Sequence, residues 1–198
     1  MFQNTQLIAG NWKTNVARGH DPEGKIMGIL GMGDIGQAMA VRAIAMGMKI
    51  QYYNRKRLSE EKEKAAGDAK YVSFDELLAT SDVLSLNLPL NPKTRHIISK
   101  REFAKMKDGV VIVNTARGAV MDEAALVEAL DSGKVASAGL DVYENEPEIH
   151  PGLIRNENVL LVPHLGTHTY ETQKAMEVVV IDNIRSAVTT GKLLTPVN

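Results

Sequence analysis

Short apolar runs alternate along the chain with stretches whose apolar positions recur at helical spacing, and this alternation predicts the elements. The apolar stretch ending at Leu30 reads as a strand, residues 35–46 as a helix ended by Gly47, and residues 48–53 as a second strand. A charged helix over 58–66 and a short strand at Tyr71-Val72 follow. Ser73 with Glu76 forms a capping box that opens another helix, and residues 82–88 read as a buried strand. A second capping box, Ser99 with Glu102, opens a helix over 100–106 that feeds a strand at 109–113. Asp122 caps a helix running to Leu130, with Gly133 beyond its end. Strands at 136–141 and 158–162 then precede a long helix over 169–190, stopped by Gly191. Such alternation calls for a parallel sheet covered by helices on both faces, and right-handed crossovers turn it into an α/β doubly wound Rossmann fold.

A chain of 198 residues can bury one sizeable core with a small appendage. The expected division is an N-terminal arm over 1–24, a dinucleotide-binding domain over 25–168, and a C-terminal helical segment over 169–198. In that last segment Ala175, Met176, Val178, Val179, Val180 and Ile181 cover more than one narrow stripe, so burial on several sides is expected. A net charge of -1 offers no field for nucleic acid or a membrane surface, and no apolar run approaches membrane-spanning length. The chain has no cysteine, which excludes disulfides, thiolate catalysis and cysteine zinc sites, fits a reducing compartment, and leads to an expected cytoplasmic location.

The candidate chemistry begins with Gly31-Met32-Gly33-Asp34-Ile35-Gly36, placed between the first strand and the first helix. Gly31 allows a tight turn, Gly33 lets backbone approach a pyrophosphate, and Gly36 lets the helix pack closely, with its unpaired N–H groups facing the anion. In an NAD site an acidic residue about 20 positions on receives the adenosine ribose. Here the second strand ends in Asn54-Arg55-Lys56-Arg57. Asn54 can hydrogen-bond a 2′-phosphate and Arg55 or Lys56 can neutralise it, so NADP(H) is preferred and NAD(H) remains possible. A solvated basic turn before an acidic helix is the competing reading of the same run.

Three downstream motifs resemble the D-isomer-specific 2-hydroxyacid dehydrogenase family: Val113-Asn114-Thr115-Ala116-Arg117-Gly118, Gly139-Leu140-Asp141-Val142-Tyr143-Glu144-Asn145-Glu146-Pro147 and Pro163-His164-Leu165-Gly166-Thr167. With the Asn-Arg turn, they look most like fungal glyoxylate or hydroxyacid reductases. The resemblance implies Arg117, Glu146 and His164 as the catalytic set, acting on a small 2-keto or 2-hydroxy acid. It implies cofactor contacts at Leu88, Pro89, Thr94, Thr115, Ala116, Arg117, Asp141, His164 and Gly166 beside those of the glycine loop, with Asp141 meeting the nicotinamide carboxamide. Reduction of a keto acid builds negative charge on the carbonyl oxygen. His164 suits the proton donor, a carboxylate such as Glu146 favours its imidazolium form, and Arg117 offers two parallel donors to the substrate carboxylate.

Two departures from the family stand out. Asp34 occupies a place where a small residue is more usual, and its charge would repel a pyrophosphate unless it points outward. Family members carry a substrate-domain segment ahead of the nucleotide domain, and the first 24 residues are too few to supply it. The expectation is therefore NADPH binding with weak or undetectable reduction of glyoxylate, and the alternative is a dinucleotide-binding module without turnover. A homodimer joined through the nucleotide domain is expected, as in the family. No metal is expected, because Gly166 breaks the helix that pairing His164 with His168 on zinc would need. A likeness of Ala9-Gly10-Asn11-Trp12-Lys13 to the first strand of triosephosphate isomerase leads nowhere, since no barrel pattern follows.

Overall fold

All strands of the single sheet run parallel, and their order reverses direction once, beside the first of them. The structure, a computed structural model, describes residues 7–10, 12 and 18–196. The strands are β1 (Ile26–Leu30), β2 (Lys49–Tyr53), β3 (Lys70–Tyr71), β4 (Val83–Leu86), β5 (Val110–Asn114), β6 (Val135–Leu140) and β7 (Val159–Leu161). Their order across the sheet is β3-β2-β1-β4-β5-β6-β7. The helices are α1 (Asp34–Ala45), α2 (Glu60–Ala65), α3 (Phe74–Thr80), α4 (Lys100–Lys105), α5 (Glu123–Asp131), α6 (Pro151–Arg155) and α7 (Tyr170–Thr190). The doubly wound fold expected from the alternation is thus present. The arm expected over 1–24, and the stretch around Asn11 and Lys13, lie in part outside the described residues.

Alternate residues of a strand face opposite sides of a sheet. In β1, Ile29 joins a core with Met32, Ala40, Ile50 and Tyr52, whereas Leu30 joins a second with Leu77, Leu84, Ile112, Leu126 and Leu140. Both faces are therefore dry, which explains why the strands read as continuous apolar runs. The helix starts follow the side chains that hold them. Ser73 accepts from the Glu76 N–H at 3.1 Å and Asp122 from the Ala125 N–H at 3.0 Å, while the Glu102 carboxylate receives both the N–H and the hydroxyl of Ser99. The capping box expected at Ser73 is only half formed, because the Glu76 carboxylate pairs with Lys70 at 2.9 Å instead. The strand expected over 82–88 ends at Leu86, and Asn87 and Leu88 leave the ladder.

Two compact units divide the chain, Met1–Pro163 and His164–Asn198. The second contains α7, capped at its start by Thr169 and ended by Gly191 in the left-handed conformation, φ 70°. The expected burial of this helix is corrected: none of its residues is buried, and Met176, Val179, Val180 and Ile181 are about half exposed. Apolar residues at consecutive positions point all round a helix, and this short unit offers little to cover them. Its tail reaches back to Asn183, whose carboxamide oxygen receives the N–H groups of Leu194 and Thr195 at 3.0 Å.

The end of β2 is locked to α2 by a buried carboxylate. Glu63 receives the Arg57 guanidinium through two bonds of 2.9 Å and the Tyr52 hydroxyl at 2.6 Å. The guanidinium first, and the phenol second, hold the Glu63 carboxyl down at about 2, against an ordinary 4.5. Burial, then the Glu63 contact, pushes the Tyr52 phenol up to about 12. Because the folded state favours ionised Glu63, this stabilisation is complete above about pH 4.5 and is lost as pH falls toward 2. Replacing Glu63→Gln is expected to lower stability at neutral pH and to flatten its decline across that acid window. Urea midpoints measured through the range check this, and an acid limb as steep as that of the parent chain would disprove it.

Candidate functional site

A cleft of about 730 Å³ opens at the carboxyl ends of β1 and β4, where the strand order reverses. Chains leaving neighbouring strands in opposite directions must leave such a crevice between them. Its floor is the turn after β1. Gly31 sits at φ 100°, and a Cβ there would lie 2.8 Å from the Asn87 carbonyl oxygen. A Cβ on Gly36 would lie 2.3 Å from the Gly31 carbonyl oxygen, so the first turn of α1 rests directly on the loop. Gly33, by contrast, has open space where its Cβ would be. Asn54 fixes the loop from the end of β2: its side-chain oxygen accepts the Met32 N–H at 2.7 Å.

The walls of the cleft carry one sign of charge. Arg55 and Lys56 line it from the β2 side and Lys93 from the segment after β4, and no Asp or Glu lines it among the described residues. Arg57, the last member of the basic run, is absorbed by Glu63 and does not take part. Leu88, Pro89 and Ile97 add apolar surface, while Asn87 and Asn91 add amides. The Asn87 side-chain oxygen is buried and has no hydrogen-bond partner. Of the sequence-predicted residues, the cleft gathers Gly31, Gly33, Asn54, Arg55, Lys56, Leu88, Pro89 and Thr94. Sequence reasoning missed Tyr53, Asn87, Asn91, Lys93 and Ile97. The Asn91-Pro92 pair was a turn signal that could have pointed to this segment.

Met32 is fully buried, and Asp34, the first residue of α1, is exposed; neither lines the cleft, nor do Ile35 and Gly36. Thr115, Ala116 and Arg117 lie beyond β5, and Asp141 directly follows β6. Buried Asn114 shapes the first of these loops, accepting from the Ala116 N–H at 3.1 Å and donating to the Arg117 carbonyl at 3.1 Å. Asp141 is tied to it through its N–H, which donates to the Asn114 carbonyl at 3.0 Å. Gly118 then packs so tightly that a Cβ would lie 1.8 Å from the carbonyl carbon of Tyr143. The loops bearing Arg117 and Glu146 are therefore held side by side.

Glu146 accepts the Tyr143 N–H at 3.0 Å, across the turn that contains it. Neighbouring Glu144 is gripped at both ends, its carboxylate 2.5 Å from His96 Nε2 and 3.5 Å from Arg95, its N–H 2.6 Å from Glu123. These contacts bind the segment after β4 to the segment after β6. His164 and Gly166 stand in the second unit, where His164 is exposed and takes a left-handed φ of 54°. Among the described residues no group of His, Asp and Glu could hold a metal ion, and no helix is long and apolar enough to cross a membrane.

The sequence model of the D-isomer specific 2-hydroxyacid dehydrogenase NAD binding domain matches residues 2–166. The chain belongs to this family. It is 67% identical over 189 residues to 4-methyl-2-oxopentanoate reductase A of Aspergillus oryzae, a match covering 96% of this chain and 56% of that protein. Glyoxylate reductase 1 of Saccharomyces cerevisiae is 48% identical over 198 residues, with 97% and 56% covered. Among solved structures, a glyoxylate reductase from Paecilomyes thermophila superposes with a TM-score of 0.94 at 63% identity, over 98% of this chain and 58% of that one. The chain thus spans little more than half the length of these relatives and comprises the NAD-binding part of the dehydrogenase.

In this dehydrogenase domain the bond from Met32 to Asn54 holds the glycine loop against β2. Asn54→Ala would leave the N–H of fully buried Met32 without that acceptor. An unsatisfied buried donor costs about 1–3 kcal/mol, so the urea midpoint should fall by a corresponding amount. An unchanged midpoint would show that the bond contributes nothing net.

Proposed function

We propose that the chain is the cofactor-binding portion of an NADP-dependent reductase that converts a 2-keto acid such as glyoxylate to its 2-hydroxy acid. The observation that carries this reading is the cleft with Arg55, Lys56 and Lys93 on its walls and no carboxylate among its lining residues. An NAD site would place an acid at the end of β2 to meet the ribose hydroxyls, and an acid there would repel a 2′-phosphate. Asn54 has its side-chain oxygen engaged by Met32, so its share in anion binding falls to its amide nitrogen, and the charge is met by its neighbours.

The residues present fit a dinucleotide. Backbone can approach a phosphate at Gly33, where no atom fills the Cβ position, and the unpartnered Asn87 oxygen offers an acceptor within the cleft wall. A bound dihydronicotinamide supplies the hydride. In the proposed reaction Arg117 binds the substrate carboxylate, His164 donates the proton that the developing alkoxide requires, and Glu146 favours the charged imidazole. Asp141 serves as acceptor for the nicotinamide carboxamide, and Leu88, Pro89, Thr94, Thr115, Ala116 and Gly166 complete the cofactor contacts. A cytoplasmic homodimer completes this reading, supported by the absence of cysteine and by the exposed apolar surface of α7, which association would cover.

Separate titrations with NADPH and NADH test the cofactor. Arg55→Ala is expected to cost about 1.5–3 kcal/mol of NADPH affinity, the range for a charge-assisted bond, and to leave NADH nearly unaffected. Equal losses for both would remove Arg55 from the phosphate site. Adding glyoxylate to the NADPH complex and following absorbance then tests turnover. Oxidation of NADPH supports the reductase, whereas binding without oxidation favours a binding module. His164→Ala should lower kcat by about 10²–10⁴-fold with NADPH affinity nearly intact, and an unchanged kcat would exclude it as the proton donor.

A further inference from the structure

Several lysines of the first unit are tied to carboxylates, and Lys93 is one of those that are not. Lys70, Lys100, Lys105 and Lys134 each lie within 2.9 Å of a carboxylate and are neutralised there. Among the described residues no carboxylate pairs with Lys93, which lines the cleft as Arg55 and Lys56 do. Its backbone is nevertheless fixed. The Lys93 N–H donates to the Asn91 side chain at 2.9 Å, the Asn91 N–H donates to the Thr94 hydroxyl at 2.9 Å, and that hydroxyl donates to the Pro89 carbonyl at 2.7 Å. A rigid turn thus presents an uncompensated cation on the β4 side of the cleft, facing the same space as Arg55 and Lys56 from the β2 side.

We propose that Lys93 is a specificity-determining residue, the third cation of an anion subsite with Arg55 and Lys56 that takes the 2′-phosphate of NADP. This inference rests on the NADP reading above. The wall against the glycine turn is formed by Asn87 and Leu88, whose atoms lie within 3.0 Å of where a Gly31 Cβ would be. Positive charge enters this segment only later, at Lys93, leaving the pyrophosphate to the backbone of the glycine loop. A single exposed ion pair contributes little in water, so discrimination for a doubly charged group requires several cations converging on it. Two loops from different strands supply them here.

Adenosine 2′,5′-bisphosphate and adenosine 5′-monophosphate isolate the subsite from the nicotinamide and from turnover. Their dissociation constants are measured by calorimetry for the parent chain, Lys93→Ala, Lys93→Arg and Arg55→Ala, at low and high salt. Lys93→Ala should bind the bisphosphate about fivefold more weakly, as expected for one partly solvated ion pair, and the monophosphate unchanged. Lys93→Arg should restore the affinity, and high salt should shrink the difference. Equal weakening for both ligands would place Lys93 at the 5′-phosphate, and no weakening would remove it from the cleft's chemistry; either overturns the inference. If the parent chain fails to prefer the bisphosphate, the NADP reading falls and this inference with it. If Arg55→Ala loses that preference and Lys93→Ala keeps it, the NADP reading stands and only the role of Lys93 is lost.

Discussion

The reversal of strand order beside β1 is the constraint on which the rest of this structure depends. Parallel strands need crossovers, and crossovers from adjacent strands that run to opposite faces leave a crevice where they part. Elsewhere along β1 both faces of the sheet are packed. Leu30 and Ile29 are fully buried on opposite sides within two residues of the turn. The glycine loop begins directly after β1, at the edge of the crevice. Its shape follows from two close approaches, Gly31 to Asn87 and Gly36 to Gly31, that any side chain would obstruct.

Electrostatics then sorts residues that look alike in one dimension. Arg55, Lys56 and Arg57 are consecutive, yet Arg57 is held by a buried carboxylate while its two neighbours keep their charge for the cleft. The sorting bears on stability as well as on the charge of the cleft. Glu63, with Tyr52 and Arg57 on its oxygens, ties the end of β2 to α2, and so holds still the turn from which Arg55 and Lys56 project. Asn54, next in the chain, stabilises the glycine loop through its side-chain oxygen. A short polar run thus divides into a loop anchor, two free cations and a structural ion pair.

The loops after β5 and β6 are ordered by groups that cannot reach water. Buried Asn114 satisfies the backbone on either side of Thr115, and buried Glu123 receives the Glu144 N–H. A polar group withdrawn from solvent must find partners, and here the partners are the loop backbones themselves. Rigid support for Arg117 and Glu146 follows from that requirement. The contact between His96 and Glu144 extends the support to the segment that lines the cleft.

Much of this was determined by sequence alone. The strand and helix alternation, the capping residues Ser73, Ser99 and Asp122, the glycine turn and the family membership all rest on local pattern, because each depends on neighbours within a few positions or on the period of apolar residues. Pattern could not tell that β4 stops at Leu86, that Asn54 turns to Met32, or that Arg57 is withdrawn by Glu63. Those outcomes depend on which groups meet across the fold. Lys93 was invisible for the same reason, since a lysine in a polar turn has no local feature that separates a solvated charge from one lining a cleft. The apolar residues of α7 gave the opposite error: composition called for burial, but burial requires a partner surface, and its own unit supplies none. Local sequence fixes which conformations a segment prefers, whereas tertiary structure decides which charges and apolar faces find a partner, because only folding brings distant residues within reach.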